Sequence, residues 1–356
     1  MPEAIISTYK VHVSKRWYFI AGTFLVLVIT ANFSVLSGAM DIDLHDLFGL
    51  WTGKADATVY QVILKIRLPR ILGAVVSGLA LSVSGAVIQS LLRNPLASPF
   101  TLGISGASAF GAAFAIVILG AGSSYAGSND MAHITNPYLV SSSAFFWSLA
   151  SVFVILVLSK YRGATPEIII LSGIIISSLF GAGISAMQYF SDNVQLASIV
   201  FWTFGDLGRA AWKELLIQLI VIVPALAYFF RKSWSYKSLQ AGDEYAKSLG
   251  VNPVRTRLTG MVIASLITAI VVSFYGIIAF IGLVVPHIVR RIIGGDELFL
   301  MPASALFGSV FLLLSDTLAR TIISPVVLPV GILTSFLGAP LFLFLLIKGI
   351  GKGYWK

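Results

Sequence analysis

Long apolar segments alternate with short polar loops along the whole chain, and most of the apolar segments are long enough to cross a bilayer. A membrane-spanning helix needs about 20 predominantly apolar residues. Only Tyr275 and Gly276 separate the seventh segment from the eighth, so one of these two is expected to be short or re-entrant. The pattern predicts an all-α polytopic membrane protein, with residues 1–356 in one transmembrane domain. The ten predicted spans lie at about 17–37, 68–91, 100–120, 140–160, 168–190, 215–231, 255–276, 277–293, 299–319 and 331–348.

The composition favours a membrane protein over a soluble one. Hydrophobic residues make up 57% of the chain and charged residues only 11%, whereas about a quarter of a soluble domain is charged. The net charge of +9 does not indicate nucleic-acid binding, because the basic residues lie in short loops between apolar segments. The apolar segment at 17–37 is longer than the roughly 7–15 residues of a signal-peptide core, so a span is favoured over a cleaved signal.

The distribution of lysine and arginine predicts the orientation of the chain in the cell membrane. Loops on the cytoplasmic side are enriched in both residue types. With the N-terminus inside, 17 of the 24 basic residues lie in cytoplasmic segments and 7 lie outside. An even number of spans then places both termini in the cytoplasm.

One polar loop, RNPLASPFTLG from Arg93 to Gly103, is distinctive in so apolar a chain. Pro95 and Pro99 each fix the backbone and remove an N–H donor. Ser98 before Pro99 is typical of a helix N-cap followed by proline at the first helical position. The loop is therefore predicted to make a tight turn at the inner membrane surface, which makes it a candidate gate or hinge.

The largest predicted cytoplasmic loop, residues 231–257, contains GDEYAKSLG from Gly242 to Gly250. Asp243 and Glu244 in a first turn complement the helix dipole, and Gly250 is a suitable residue to end the helix. The segment is predicted to be a short amphipathic helix that docks into a groove of a partner; a solvated surface helix is the alternative. The face predicted to dock consists of Tyr245, Ala246 and Leu249.

The sequence gives no indication of catalysis or of a resident metal. Gly53-Lys54-Ala55 and Gly351-Lys352-Gly353 lack the Ser or Thr of a phosphate-binding loop, so any ATPase must be a separate chain. The chain has no cysteine, and its four histidines are scattered, so neither a thiolate site nor a carboxylate–histidine metal site is predicted. We expect no cofactor on this chain and no enzymatic activity of its own.

Three arginines lie on the predicted outer side, which should be poor in basic residues. Arg67 and Arg70 border the second span, and Arg320 ends the ninth. Guanidinium groups suit pairing with carboxylates, which predicts docking of an acidic patch on an external protein; snorkelling towards lipid head groups is the alternative. Asp316 is four residues before Arg320, so an internal pair would compete with docking. A proton relay through Asp316 is disfavoured, because further carboxylates are lacking at span centres.

Small residues recur at helical spacing on three of the predicted spans. Such stripes let helices pack closely in lipid, and plain packing is favoured over a pore lining. The stripes are Gly103, Ala107 and Gly111; Gly78, Ser82, Gly85 and Ala86; and Gly181 and Ser185.

Six motifs in this order resemble the FecCD permease family, the membrane subunits of type II ABC importers for iron–siderophore, haem and vitamin B12. The resemblance extends from about Arg67 to Lys348. It implies the fold of those permeases, with about ten transmembrane helices in each subunit of a homodimer. It also implies two cytoplasmic ATPase subunits, which use ATP and magnesium, and one external binding protein. The motifs are RLPR, the stretch Gly78–Gln89, RNPLASPFTLG, GDEYAKSLG, FIGLVVPHIVR and LPVGILTSFLGAPLF.

The resemblance also implies roles for individual residues. Arginines matching Arg67, Arg70 and Arg320 face glutamates of the binding protein in similar permeases. The loop matching Asn94, Pro95 and Leu96 lies near the cytoplasmic gate. The coupling helix that contacts the ATPase matches Gly242, Asp243, Glu244, Tyr245, Ala246, Leu249 and Gly250.

Two segments depart from the family pattern. Pro166 and Glu167 stand where some relatives carry Thr and Ser, so no gate role is carried over to that loop. The segment Phe201 to Trp212 is more charged than in a vitamin B12 permease, so the cargo of that permease is not carried over to this chain.

A metal chelate is favoured by resemblance alone, and an oxyanion such as molybdate stays open. An ion-coupled secondary transporter is the main rival class, and it would need carboxylates within the membrane.

Overall fold

The computed structural model describes residues 2–38, 40, 42–43, 49, 56–122, 134–162 and 165–350, and every regular element among them is helical. One helix corresponds to each of the ten predicted spans, in order. These helices are α1 (Pro2–Leu36), α2 (Ala57–Leu92), α3 (Ile104–Val117), α4 (Pro137–Arg162), α5 (Pro166–Phe190), α7 (Trp212–Arg231), α10 (Pro253–Tyr275), α11 (Ile281–Ile293), α12 (Glu297–Thr321) and α13 (Val330–Ile350). Three short helices lie between them: α6 (Asn193–Thr203), α8 (Ser233–Gln240) and α9 (Asp243–Ser248).

The prediction of an all-α polytopic membrane protein is confirmed. Seven of the helices, α1, α2, α4, α5, α7, α10 and α12, are long and apolar enough to cross a membrane. The prediction that either the seventh or the eighth span is short is also confirmed, and the short one is the eighth. Helix α11 has 13 residues and is therefore about 20 Å long, less than the roughly 30 Å of a hydrocarbon core. It follows a non-helical segment, 276–280, in which Phe280 has a positive φ of 67°.

Three predicted helix starts are clearly displaced in the structure, and the first is that of α1, which begins at Pro2 rather than near residue 17. The third span, expected to begin near residue 100, begins as α3 at Ile104, because Pro99–Leu102 forms a separate 3₁₀ turn. That turn ends at Gly103, whose φ of +78° interrupts the helix. The second span begins eleven residues early, at Ala57, where the Asp56 side chain caps the helix by accepting from the Thr58 N–H.

Helix α2 is the central element of the subunit and packs against α10, α11 and α12. Its small residues allow very close approach to two neighbours. A Cβ placed on Gly78 would overlap the Gly308 carbonyl of α12, and one placed on Gly85 would overlap the Gly282 carbonyl of α11. Between these positions, the Ser82 hydroxyl donates to the Ser304 carbonyl at 2.7 Å. The α2 stripe therefore serves helix packing, as predicted.

The other two stripes differ from each other. On α3, Gly111 lies against the backbone of α4 at Ser143, so that stripe also serves packing. On α5, by contrast, a Cβ added at Gly181 would meet no heavy atom within 4 Å, and Ser185 is exposed. The predicted packing role of the α5 stripe is therefore not realised within this chain.

The close contact at Gly85 leads to a stability prediction. Gly85→Ala is expected to lower the free energy of unfolding by about 1–3 kcal/mol, because the new methyl group forces α2 away from Gly282. The midpoint of thermal unfolding of the detergent-purified chain measures this effect. Gly181→Ala makes the same chemical change at an open helical position and should leave the midpoint unchanged or slightly raised. Equal effects of the two substitutions would contradict the packing assignment.

Candidate functional site

Polar side chains gather at the two ends of the helix bundle. The end that carries the two predicted cytoplasmic loops is called the inner end here, and the opposite end is called the outer end. Among the described residues, Arg93, Asp243 and Arg257 meet at the inner end and form the inner cluster. At the outer end, four side chains form the outer cluster: Arg67, Arg70, Asp316 and Arg320.

The loop after α2 is the tight turn that the sequence predicts. Arg93 ends α2 in the left-handed region with a φ of 47°. The Asn94 side chain then accepts a hydrogen bond from the Leu96 N–H at 2.9 Å, and the Asn94 N–H donates to the Gln89 carbonyl at 3.1 Å. Pro95 lies within this turn, and Leu96 is exposed beside it. The geometry fixes the loop, while its gate role stays a prediction.

The predicted short helix in the inner loop is present as α9. Gly242 precedes it, and Gly250, with a φ of +77°, follows its last turn. The Lys247 ammonium donates to the Glu244 carboxylate at 2.8 Å, and this hydrogen bond raises the pKa of Lys247 above its ordinary value. Both side chains are solvent-exposed, so the pair contributes little to stability.

The predicted apolar face of α9 is wrong in one residue. Tyr245 and Leu249 are four residues apart, lie on one face of the helix and are both more than half exposed. Ala246 is fully buried against the hydrophobic core instead. One residue corresponds to about 100° of helix rotation, which turns Ala246 towards the protein. The exposed apolar surface of α9 therefore consists of Tyr245 and of Leu249, the residue that caps its C-terminal end.

Asp243 connects α9 to both the turn and the membrane bundle. Its Oδ1 lies 2.5 Å from Nη2 of Arg93 and 3.0 Å from Nη2 of Arg257. Arg257 is only 2% exposed, and its Nε donates to the Leu91 carbonyl at 3.0 Å. Asp243 and Arg257 therefore link α9 to the end of α2 and to the start of α10.

The structural role of Arg257 was not predicted from the sequence. One feature of the sequence could have indicated this role: Arg257 stands in the first turns of an otherwise apolar span. A buried ionisable residue is costly in a membrane, so such an arginine is expected to have a partner. The identity of that partner, Asp243, depends on the fold.

A second polar network lies at the inner end and involves α8, and it was not predicted from the sequence either. Glu297, at the start of α12, is fully buried and accepts hydrogen bonds from the Ser90 hydroxyl and from the Gln240 amide. Its neighbour Asp296 accepts from Arg16 and Lys237, each at 3.2 Å. The network joins α8, which precedes α9, to α1, α2 and α12.

The outer arginines are largely buried and have partners inside the chain. Arg70 contacts Asp316 through two nitrogens, with Nη2 2.8 Å from Oδ1. Nε of Arg320 lies 3.2 Å from Oδ2 of Asp316, which confirms the predicted internal pair. Arg67 donates to the carbonyls of Val35 and Leu36. The relative exposure of Arg67, Arg70 and Arg320 is 4%, 8% and 7%.

Other predicted features are placed as follows. His287 packs edge-on against Phe342, with ring centroids 6.2 Å apart. In the parts of the chain that the structure describes, no group of three or more His, Asp or Glu side chains could hold a metal ion. The two glycine–lysine segments, at Lys54 and Lys352, lie outside the described residues.

Comparison with known proteins identifies relatives over almost the entire chain. The FecCD transport family matches residues 25–348. A chain of Methanocaldococcus jannaschii named as an ABC transporter permease is 52% identical over 96% of this chain and 97% of its own length. The hemin transport system permease of Yersinia pestis is 38% identical over 91% and 93%. The molybdate import permease of Haemophilus influenzae is 34% identical over 92% and 94%.

A solved structure has the same fold. An inward-facing metal-chelate type ABC transporter is 32% identical, with a TM-score of 0.80 over 92% of this chain and 98% of that chain. The fold therefore agrees with the one that the sequence motifs imply.

Proposed function

This chain belongs to the FecCD transport family, and we propose that it is the membrane-spanning subunit of an ATP-driven importer whose cargo is a metal chelate. The cargo class is supported by the 32%-identical transporter structure of metal-chelate type and by the hemin permease relative. The sequence contains no phosphate-binding loop of the G-x-x-x-x-G-K-[ST] type, so ATP hydrolysis is assigned to partner subunits.

The proposed assembly contains two copies of this chain, two cytoplasmic ATPase subunits and one external binding protein. Helix α9 contacts the ATPase through the exposed side chains Tyr245 and Leu249. Asp243 then carries the movement of α9 to Arg93 and the adjoining turn at Asn94, Pro95 and Leu96. In this scheme ATP binding moves α9, and the turn opens or closes the inner end of the pathway.

The outer cluster is proposed to receive the binding protein. Its three guanidinium groups face the carboxylate of Asp316 and, 3.6 Å from Arg70, that of the partly exposed Asp206, so the charge balance stays positive by one. Asp316 itself is fully buried. An acidic patch on the binding protein would therefore meet an uncompensated positive potential, which favours association even when the guanidinium groups are only slightly exposed.

The docking role leads to a prediction. Arg67→Gln is expected to weaken docking of the binding protein about tenfold and to make its salt dependence shallower, because one positive charge is lost. Surface plasmon resonance at two salt concentrations measures both quantities. Lys213→Gln, at an exposed site at the same end, is the matched control. If a folded Arg67→Gln subunit kept the wild-type affinity and salt dependence, Arg67 would only stabilise the fold, through its hydrogen bonds to the carbonyls of α1.

The proposed cargo is tested by isolating the external protein that docks on this subunit and identifying its bound ligand. A haem, a ferric siderophore or a cobalamin would support the proposal. Molybdate would overturn the cargo class and favour the alternative, an oxyanion importer, which the Haemophilus influenzae relative supports.

The energy source is tested separately. The proposal expects a nucleotide-binding subunit to co-purify with this chain at one-to-one stoichiometry. It also expects uptake into vesicles to require that subunit and ATP. Accumulation of solute by the chain alone, driven by an ion gradient, would establish a secondary transporter instead.

A further inference from the structure

A pocket at the outer end of the bundle has no role in the proposed transport cycle. Its volume is about 530 Å³, and its walls come from the start of α4, from α6, from the start of α7 and from the end of α10. Apolar rings line one side, including those of Phe201, Trp202 and Phe274. Arg209 and Glu214 bring one positive and one negative group to the same pocket.

Both charged groups have an oxygen or nitrogen atom without a partner among the described residues. Glu214 accepts a hydrogen bond from the Tyr138 hydroxyl at 2.7 Å through Oε1, but its buried Oε2 has no partner there. Arg209 donates to the Phe201 carbonyl at 3.1 Å through Nη2, but its buried Nη1 has none. Burial lowers the pKa of Arg209, partly opposed by the charge of Asp206.

Unpartnered buried atoms of this kind are unfavourable unless something binds to them. A buried polar atom that lacks a hydrogen bond is costly, and a charged one more so. Here one such atom is a donor on a cation and the other is an acceptor on an anion. A ligand that complements both must carry an anionic acceptor and a cationic donor, separated by a short spacer.

The position of the pocket indicates where such a ligand would come from. Tyr138 and Glu214 stand in the first turns of apolar helices, and Phe274 is one residue from the end of a third. Ends of membrane-spanning helices lie at the depth of the lipid head groups, where Trp and Tyr are enriched. Phe201 is 58% exposed and offers an apolar surface beside the charged groups. A phospholipid of the outer leaflet fits this combination.

We propose that this pocket binds the zwitterionic head group of a phospholipid, with the phosphate at Arg209 and the ammonium group at Glu214. The Tyr138 hydroxyl holds the Glu214 carboxylate in place. The aromatic wall contacts the glycerol and the first carbons of an acyl chain. The bound lipid then fills a gap between α4, α6 and α7 and stabilises the outer half of the subunit.

The proposal is tested by native mass spectrometry of the full chain, titrated with phosphatidylethanolamine or phosphatidylglycerol of identical acyl chains. The wild type is expected to bind the zwitterionic lipid at least tenfold more tightly than the anionic one. Glu214→Gln should reverse this preference, because only the cation remains. Arg209→Gln should weaken binding of both lipids about tenfold, and Lys213→Gln should change neither affinity.

A reversal of preference is a result that a merely structural role of Glu214 would not produce. Equal affinity of the wild type for the two lipids, or an unchanged preference in Glu214→Gln, would overturn the proposal. Binding of free glycerophosphoethanolamine, the head group without acyl chains, is measured separately. If it bound as tightly as the lipid, the ligand would be a soluble zwitterion, and the assignment to a phospholipid would be wrong.

Should Arg209→Gln fail to fold, Arg209→Lys, which keeps the charge, is expected to retain the preference for the zwitterionic lipid.

Discussion

Leu249→Asp is expected to reduce ATP-driven uptake at least tenfold while the subunit itself stays folded. Leu249 is 58% exposed on α9 and shares that face with Tyr245. An apolar residue exposed at the tip of a cytoplasmic loop stabilises little within the chain, so its replacement has little effect on the fold. In the proposed assembly it is buried against the ATPase, where a new carboxylate would be left without a partner.

Two measurements separate loss of coupling from loss of folding. Affinity of the reconstituted variant for the ATPase subunit is expected to fall about tenfold or more, and the midpoint of thermal unfolding of the permease should be unchanged. Ser248→Asp adds the same charge at an exposed position of the same helix, turned about 100° away, and should have a clearly smaller effect. Normal uptake by Leu249→Asp would refute the coupling role of α9.

The second large effect is expected at the outer cluster. Asp316→Asn should lower the free energy of unfolding by about 3–5 kcal/mol, because the buried guanidinium groups of Arg70 and Arg320 lose the carboxylate that lies between them. The Asp316 side chain is completely buried and neutralises both Arg70 and Arg320. Chemical denaturation or thermal unfolding in detergent measures the loss.

Asp206 supplies a matched control for this substitution. It also lies near Arg70, with Oδ1 3.6 Å from Nη2, but its side chain is 36% exposed. Asp206→Asn is therefore expected to change the free energy of unfolding by less than about 1 kcal/mol, as for a solvent-screened pair. Similar losses for the two variants would show that burial does not set the strength of these interactions.

The inner and outer clusters have a common physical design. Each places a carboxylate between two arginines from different elements: Asp243 between Arg93 and Arg257, and Asp316 between Arg70 and Arg320. A buried arginine near the end of a membrane helix needs such a partner. The inner carboxylate is partly exposed and lies on a short surface helix. The outer one lies within α12 and holds its arginines in place.

Much of the fold could be predicted from local sequence, because the underlying physics is local. Apolar segments about 20 residues long predict membrane helices whatever surrounds them, and each predicted span has a helix in the structure. Tyr275 and Gly276 predicted that one of the two adjoining spans is short, and the helix α9 followed from its acidic first turn and Gly250. The tight turn at Asn94 followed from two prolines and an N-cap serine.

The failures of prediction involve contacts between residues distant in sequence. Ala246 was assigned to the exposed face of α9, but the core it packs against comes from other helices. Burial of Arg67 depends on carbonyl groups of α1, more than thirty residues earlier. The partner of Arg257 and the network around Glu297 depend likewise on which helix ends meet.

The amino-acid sequence is enough to predict a bundle of membrane helices without an ATP-binding loop, and to identify the family of the chain. Hydropathy and turn chemistry act over a few residues, and motif order is a property of the chain. Helix packing is needed to see which arginines are neutralised, which face of α9 is exposed, and that Arg209 and Glu214 share a pocket. The physical reason is that burial and charge pairing are set by helix packing, which brings together residues up to hundreds of positions apart.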